Sequence, residues 1–99
     1  MDLYQAAERQ VFFALHWVSD NESGEITCRP SGGPKNDKVY DTILLILEEG
    51  CDDVVANPDG TKTGMLTLEE SGKPDKQFKV TWSDTETIFR RTPGVGPDA

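Results

Sequence analysis

The sequence predicts an α+β domain in which two helices pack on one face of a short antiparallel β-meander. Apolar residues recur with the 3.6-residue period of a helix before Gly50, and with the two-residue period of a strand after it. Turn sequences rich in Gly, Pro, Asn and Asp separate the apolar segments of the second half. With 99 residues, the chain has the length of one domain, which we place at residues 1–91.

The first helix is predicted over Asp2–Val18. Asp2 is a suitable N-cap, and Gln5 completes a variant of the capping box. At about 100° per residue, one helix face collects an apolar stripe that we expect to enter the core. Its members are Leu3, Tyr4, Ala7, Val11, Ala14, Leu15 and Val18.

Three further aromatic residues of this helix lie off the core stripe: Phe12, Phe13 and Trp17. A single sheet packing on one stripe does not bury all three, so they predict an exposed apolar patch of interface size, together with Leu45. The alternative is that the first helix is sandwiched between the sheet and the Gly-Gly-Pro loop.

The second helix is predicted over Asp37–Glu49. Asn36 is the expected cap, and Asp37 falls in the first turn, where the helix dipole favours an anion. The core stripe consists of Val39, Tyr40, Ile43, Ile46 and Leu47. Gly50 suits the left-handed position just past a helix end. A buried strand is the alternative, because this segment is rich in β-branched residues, but its length and the terminal glycine favour a helix.

The second half predicts four strands, near residues 54–56, 64–69, 77–82 and 85–91. In the third of them, Phe78, Val80 and Trp82 alternate with polar residues and are expected to face the core. The last strand fits two orientations, with either Ile88 or the pair Thr87 and Phe89 inward. Residues 25–29 are a candidate short strand. The final residues, 92–99, carry no packing signal and are predicted to be a flexible tail.

The formal net charge is −8, from 18 acidic and 10 basic residues. Such a charge repels nucleic acids and anionic membrane surfaces, so direct binding to either is not expected and a basic protein is the favoured partner. The alternative is that the acidity serves solubility alone.

The longest apolar runs have five residues, far short of a membrane span. With an N-terminal segment unlike a secretory signal, this predicts a cytoplasmic protein.

The acidic residues are concentrated between Lys38 and Lys62, an interval that contains no basic residue: Asp41, Glu48, Glu49, Asp52, Asp53 and Asp59. The end of the predicted second helix is an unfavourable place for an anion, by roughly 0.3–1 kcal/mol per residue. We therefore interpret the acids there as partner-binding residues, namely Glu48, Glu49, Asp52 and Asp53, with Phe12 or Trp17 as aromatic anchors. A solvated surface without a function is the alternative.

No motif for catalysis or metal binding stands out. His16 is the only histidine and is expected at the surface, and one His with Cys28 and Cys51 falls short of the four soft ligands of a zinc site. An EF-hand around Asn57–Gly60 fails because Val55 and Leu66 stand where ligands are required. We predict a protein that is not an enzyme and uses neither a metal nor a cofactor. A small enzyme with a site that no motif marks is the least favoured alternative.

Two functions fit these observations. The first is a protein-binding module that inhibits or neutralises a basic, nucleic-acid-handling protein, as an immunity protein, an antitoxin or a phage anti-defence inhibitor does; it predicts a monomer or weak homodimer when the protein is alone. The alternative is a structural or assembly subunit that forms a homo-oligomer through the aromatic patch. The first rests on size and charge, which are shared by many unrelated proteins.

Overall fold

The computed structural model describes residues 2–21, 24–32 and 37–91. The described chain forms two helices and five strands: α1 Leu3–Asp20, β1 Glu25–Cys28, α2 Lys38–Gly50, β2 Asp52–Ala56, β3 Lys62–Leu68, β4 Lys76–Trp82 and β5 Thr87–Arg91. The strands make one sheet in the order β1-β5-β4-β3-β2, with every pair antiparallel. The predicted α+β arrangement is confirmed, and the candidate strand near residues 25–29 extends the meander beside β5.

Helix α2 connects the two edges of the sheet, because β1 and β2 are the outermost strands. Its 13 residues give a length of about 20 Å. Five strands spaced about 4.8 Å apart are about 19 Å across. The helix is therefore long enough to cross the sheet in one pass, which brings its two ends close to different strands.

The two helix starts are capped by aspartates. The Asp2 carboxylate accepts the Gln5 backbone N–H at 2.8 Å, as predicted. The N-cap of α2 is Asp37, whereas the sequence predicted Asn36 as the cap and Asp37 as a residue of the first turn. Asn36 lies outside the described residues. Asp37 accepts the backbone N–H of Tyr40 at 3.0 Å and that of Ser31 at 2.9 Å. It therefore fixes the helix start to the preceding loop.

The prediction that Gly50 takes a left-handed conformation beyond the helix is wrong. Gly50 is the last residue of α2, and Cys51 follows as the cap in an extended conformation. The chain enters β2 at once, so it needs no left-handed reversal there. The positive φ falls instead on Asp53, at 55°.

The core lies between the helices and one face of the sheet. Cross-strand pairing sets Val80 opposite Phe89 and Trp82 opposite Thr87, and all four are buried. The inward orientation of the last strand is thus the one with Thr87 and Phe89. The helices supply much of the rest of the apolar core: Ala7, Val11, Ala14, Leu15 and Val18 from α1, and Tyr40, Ile43 and Leu47 from α2.

Two residues of the predicted α1 stripe are not in the core. Leu3 and Tyr4 are 47% and 55% exposed. The first buried position of α1 is Ala7, so its first turn extends past the packed layer.

The opposite face of the sheet carries Lys79, Thr81 and the ion pair of Arg90 with Glu25, and no helix of the described chain covers it. The predicted tail, residues 92–99, lies outside the described residues.

Candidate functional site

The acidic stretch divides into a paired and an unpaired part. Glu48 forms an ion pair with Lys62, because the β2–β3 hairpin folds the far end of the base-free interval back onto α2. Glu49, Asp52 and Asp53 are exposed, and no described basic side chain lies within ion-pair distance of them. Three of the four predicted acidic contacts are therefore free to meet a cation.

The second part of the stretch lies on the edge strand β2, where the sequence predicted a link and a strand that begins at Val54. Asp52 pairs with Met65, whereas Val55 pairs with Thr63, so the register shifts between them. All five residues of β2 are exposed. Charges and a bulge on an edge strand also prevent unwanted strand pairing, which is a structural role that these two aspartates fulfil without any partner.

A groove of about 560 Å³ lies between α2 and the turns at one end of the sheet. We call it the acidic groove; its lining consists of Asp41, Leu44, Leu45, Glu48, Gly60, Lys62, Trp82, Ser83 and Asp84. Leu45, which the sequence placed off the core stripe, is 58% exposed there. The groove therefore combines an apolar floor with three carboxylates and one ammonium group.

Hydrogen bonds hold the walls of the acidic groove in place. The buried Tyr40 phenol donates to the Ser83 backbone carbonyl at 2.8 Å, and its oxygen lies 3.0 Å from Thr87 Oγ1. Burial raises the pKa of Tyr40, so the phenol keeps its proton. Ser83 Oγ in turn accepts the Thr85 backbone N–H at 3.2 Å. The bonds of Tyr40 and the ion pair of Glu48 with Lys62 tie α2 to the sheet and its β4–β5 turn at two points along the helix.

A second depression, of about 510 Å³, continues the acidic groove across the end of the sheet and shares Gly60, Trp82, Ser83 and Asp84 with it. It adds the carboxylates of Asp59 and Glu86. Asp59 Oδ1 accepts the Thr61 hydroxyl at 2.7 Å and the Thr61 backbone N–H at 3.0 Å, and these bonds hold its pKa below the usual range. Asp59 is thus ionised at neutral pH.

The off-stripe apolar residues do not form one patch. Phe12 lines a separate cavity of about 190 Å³ with Ile46, Leu66 and Leu68, whereas Leu45 lies in the acidic groove. Trp17 is on the other flank of α1, beside Gly24. The structure therefore separates the two predicted anchors, Phe12 and Trp17, from each other. Sequence patterns did not find the acidic groove, although the off-stripe position of Leu45 was a signal for it.

The titratable residues outside this surface offer little chemistry. His16 is exposed, and its Nε2 lies 3.9 Å from Glu70 Oε2. Burial, with Asp52 nearby, raises the pKa of the Cys51 thiol to about 11, and burial also raises the pKa of Cys28. Neutral thiols are poor nucleophiles. Among the described residues, no three His, Cys, Asp or Glu side chains are grouped to hold a metal ion. The absence of enzymatic activity and of cofactors stays a prediction.

Comparison with known proteins gives no relative from which a function can be taken: no family model, no curated protein and no solved structure matches the chain. Among the described helices, none is both long and apolar enough to cross a membrane.

Proposed function

We propose that the protein is a small acidic binding module that inhibits or neutralises a basic, nucleic-acid-handling protein. The observation that carries this proposal is the exposed set Glu49, Asp52 and Asp53, which has no basic partner within the described chain. Unpaired surface charges of one sign speed association with a partner of the opposite sign.

The surroundings of these acids favour a protein as the partner. Simple cations need clustered oxygen ligands, and the described residues contain no such cluster. A protein interface instead combines charges with apolar contacts. The acidic groove offers both, since Leu44 and Leu45 lie among its carboxylates.

Inhibition follows from the same charges. A protein that handles nucleic acid presents lysines and arginines to the phosphate backbone. The exposed carboxylates of this domain engage those side chains and exclude the phosphates. An immunity protein, an antitoxin and a phage-type inhibitor of a defence complex all fit this mode of action, and the fold does not distinguish them.

A homo-oligomeric structural or assembly subunit is the second candidate. One observation favours it: Phe13, 63% exposed, and Trp17 lie four residues apart on α1, so they share a helix flank. Leu3, Ala6 and Gln10 continue this flank toward the helix start, and none of the five is charged. Sedimentation at low micromolar concentration separates the two functions, because the subunit self-associates through this flank and Phe13→Gln disrupts the oligomer.

Affinity capture with a charge-matched control tests the proposed function. The bait is the full chain, and the test variant carries Glu49→Lys, Asp52→Lys and Asp53→Lys. The control carries Glu8→Lys, Asp20→Lys and Asp75→Lys, which change the net charge equally at exposed sites outside the acidic groove and β2. We expect the parent and the control to retain a basic protein, identified by mass spectrometry, and the test variant to lose it.

The captured protein must then lose its nucleic-acid binding or cleavage when the parent is added in equimolar amount. A partner that keeps full activity in the complex contradicts inhibition. Equal loss of the partner by the test variant and the control shows that net charge alone is responsible, which contradicts the assigned surface.

A further inference from the structure

We propose that the acidic groove receives a long basic side chain, arginine or lysine, from the protein partner. The aliphatic stem lies on Leu44 and Leu45, and the cationic head group meets the carboxylates of the rim. The inference rests on the proposed function and assigns part of its interface to the acidic groove.

The lining selects this occupant by charge complementarity. Asp41, Glu48 and Asp84 give the groove three carboxylates, against the single ammonium of Lys62. An acidic side chain is repelled by this lining, and a purely apolar side chain removes water from the carboxylates without replacing it by a cation. Lysine and arginine satisfy both parts of the groove, because their stems cover apolar surface while the head group stays at a polar rim.

The groove exists before the partner binds. Tyr40 ties the start of α2 to the Ser83 carbonyl, and the ion pair with Lys62 ties the later part of the helix to β3. Asn57 braces the neighbouring turn, with its side-chain amide donating to Thr61 Oγ1 at 2.9 Å and Thr63 Oγ1 at 2.8 Å. A preformed site loses little conformational entropy on binding, which favours recognition of a single side chain.

Lys62 acts as an internal competitor for this site. Its side chain is 46% exposed and that of Glu48 is 43% exposed. Ion pairs at such exposed positions are weak, so Glu48 can exchange the ammonium of Lys62 for a head group from the partner. Removal of the Lys62 charge therefore strengthens binding at the groove.

The test is an NMR titration of the ¹⁵N-labelled full chain with a blocked peptide, Gly-Arg-Leu-Arg-Gly, at constant ionic strength. The same peptide with both arginines replaced by citrulline keeps the shape without the charge. With the arginine peptide, we expect saturable chemical-shift changes at the backbone amides of Leu45 and Asp84 and at the Trp82 indole N–H. With the citrulline peptide, we expect no such changes.

Two matched pairs of variants locate the effect. Lys62→Met should tighten binding about two- to five-fold, the range of one exposed ion pair. Lys79→Met makes the same change of net charge on the open face of the sheet and should change the affinity less. Leu45→Gln should weaken binding, whereas Phe13→Gln, a similar change at an exposed position of α1, should leave it unaltered.

The outcomes separate the inference from the proposed function. Saturable shifts confined to Asp52 and Asp53 overturn the groove as the site and leave the acidic module in place. Equal tightening by Lys62→Met and Lys79→Met overturns the groove as well, since net charge then explains the binding. Shifts at the groove combined with failure of the inhibition assay support the inference and overturn the inhibitory function alone.

Discussion

The two sides of α2 differ in what they contribute to the molecule. One side buries Tyr40, Ile43 and Leu47 against the sheet. The other side exposes Asp41, Leu45 and Glu48 to the acidic groove or to solvent. A single helix of 13 residues thus carries part of the core and part of the candidate interface.

This difference means that stability and recognition can be changed separately. A substitution on the buried side removes packed apolar volume without altering the charge of the surface. A substitution on the groove side alters charge or apolar exposure and leaves the core intact.

Truncation of the buried side has the largest expected effect. Ile43→Ala on this side of α2, and Leu15→Ala on the buried face of α1, should each lower the free energy of unfolding by roughly 2–5 kcal/mol, because both side chains are almost completely buried and each leaves a cavity. Urea denaturation followed by tryptophan fluorescence measures the change. Leu45→Ala on the groove side is the control and should cost much less; a comparable loss there contradicts the division of α2 into two sides.

Position 64, on β3, has room only for a glycine. A Cβ there comes within 2.8 Å of Cys51 Cβ and within 3.2 Å of both Trp82 and Val54. Gly64→Ala should therefore lower the free energy of unfolding by about 1–3 kcal/mol. At Gly50 the same Cβ meets only Leu66, at 3.8 Å, so Gly50→Ala should be neutral or stabilising by up to about 1 kcal/mol. Thermal denaturation of the two variants should give shifts of different size, and equal losses contradict this packing.

Tyr40 links the two sides, since its ring is in the core and its hydroxyl holds the wall of the groove. Tyr40→Phe leaves the Ser83 carbonyl and Thr87 Oγ1 without this partner and should cost about 1–3 kcal/mol in the free energy of unfolding. It should also change the backbone amide shifts of residues 83–86. Tyr4→Phe, at an exposed site, is the control; unchanged shifts in the turn of the Tyr40 variant contradict the role of this hydroxyl.

The cap of α2 makes stability depend on pH. Hydrogen bonds from the Ser31 and Tyr40 backbone N–H groups hold the pKa of Asp37 below its usual range. Because the pKa of Asp37 is lower in the folded chain than in the unfolded chain, where it is about 3.9, the ionised carboxylate stabilises the fold at pH values above the unfolded-state pKa. This stabilisation is lost as the pH falls through the folded-state pKa. Asp37→Ser keeps a capping oxygen but does not titrate. The stability advantage of the parent should shrink between pH 6 and pH 2; an advantage that stays constant contradicts the assignment.

Local patterns predicted the elements and much of the core. The alternation of Phe78, Val80 and Trp82 and the helical spacing of Ile43 and Leu47 are properties of short segments, and the structure confirms them. Such local patterns do not indicate which helices and strands pack against one another. For this reason the exposed first turn of α1 was missed, as was the pairing of Ile26 with Phe89.

The candidate site depends on such long-range contacts. Glu48 meets Lys62 only because a hairpin returns the chain to α2, and Asp84 joins the groove only because the β4–β5 turn lies against the same helix. The sequence predicted an unpaired acid at position 48, and folding supplied its partner. Glu49, Asp52 and Asp53 have no described basic side chain in reach, so the unpaired acids are those three rather than all four.

Association kinetics measure whether these unpaired acids guide a basic protein to this domain. The rate constant for binding the captured partner is measured by stopped-flow fluorescence as a function of NaCl concentration, for the parent and for the variant Glu49→Lys, Asp52→Lys, Asp53→Lys. Steering is screened over about 8 Å at physiological ionic strength, so the parent should associate faster at low salt and lose that advantage as salt rises. The reversed variant should associate slowly with a flat salt dependence. Equal rates and equal salt slopes for the two proteins would contradict this guidance by the acids and leave the acidic stretch as a solvated surface.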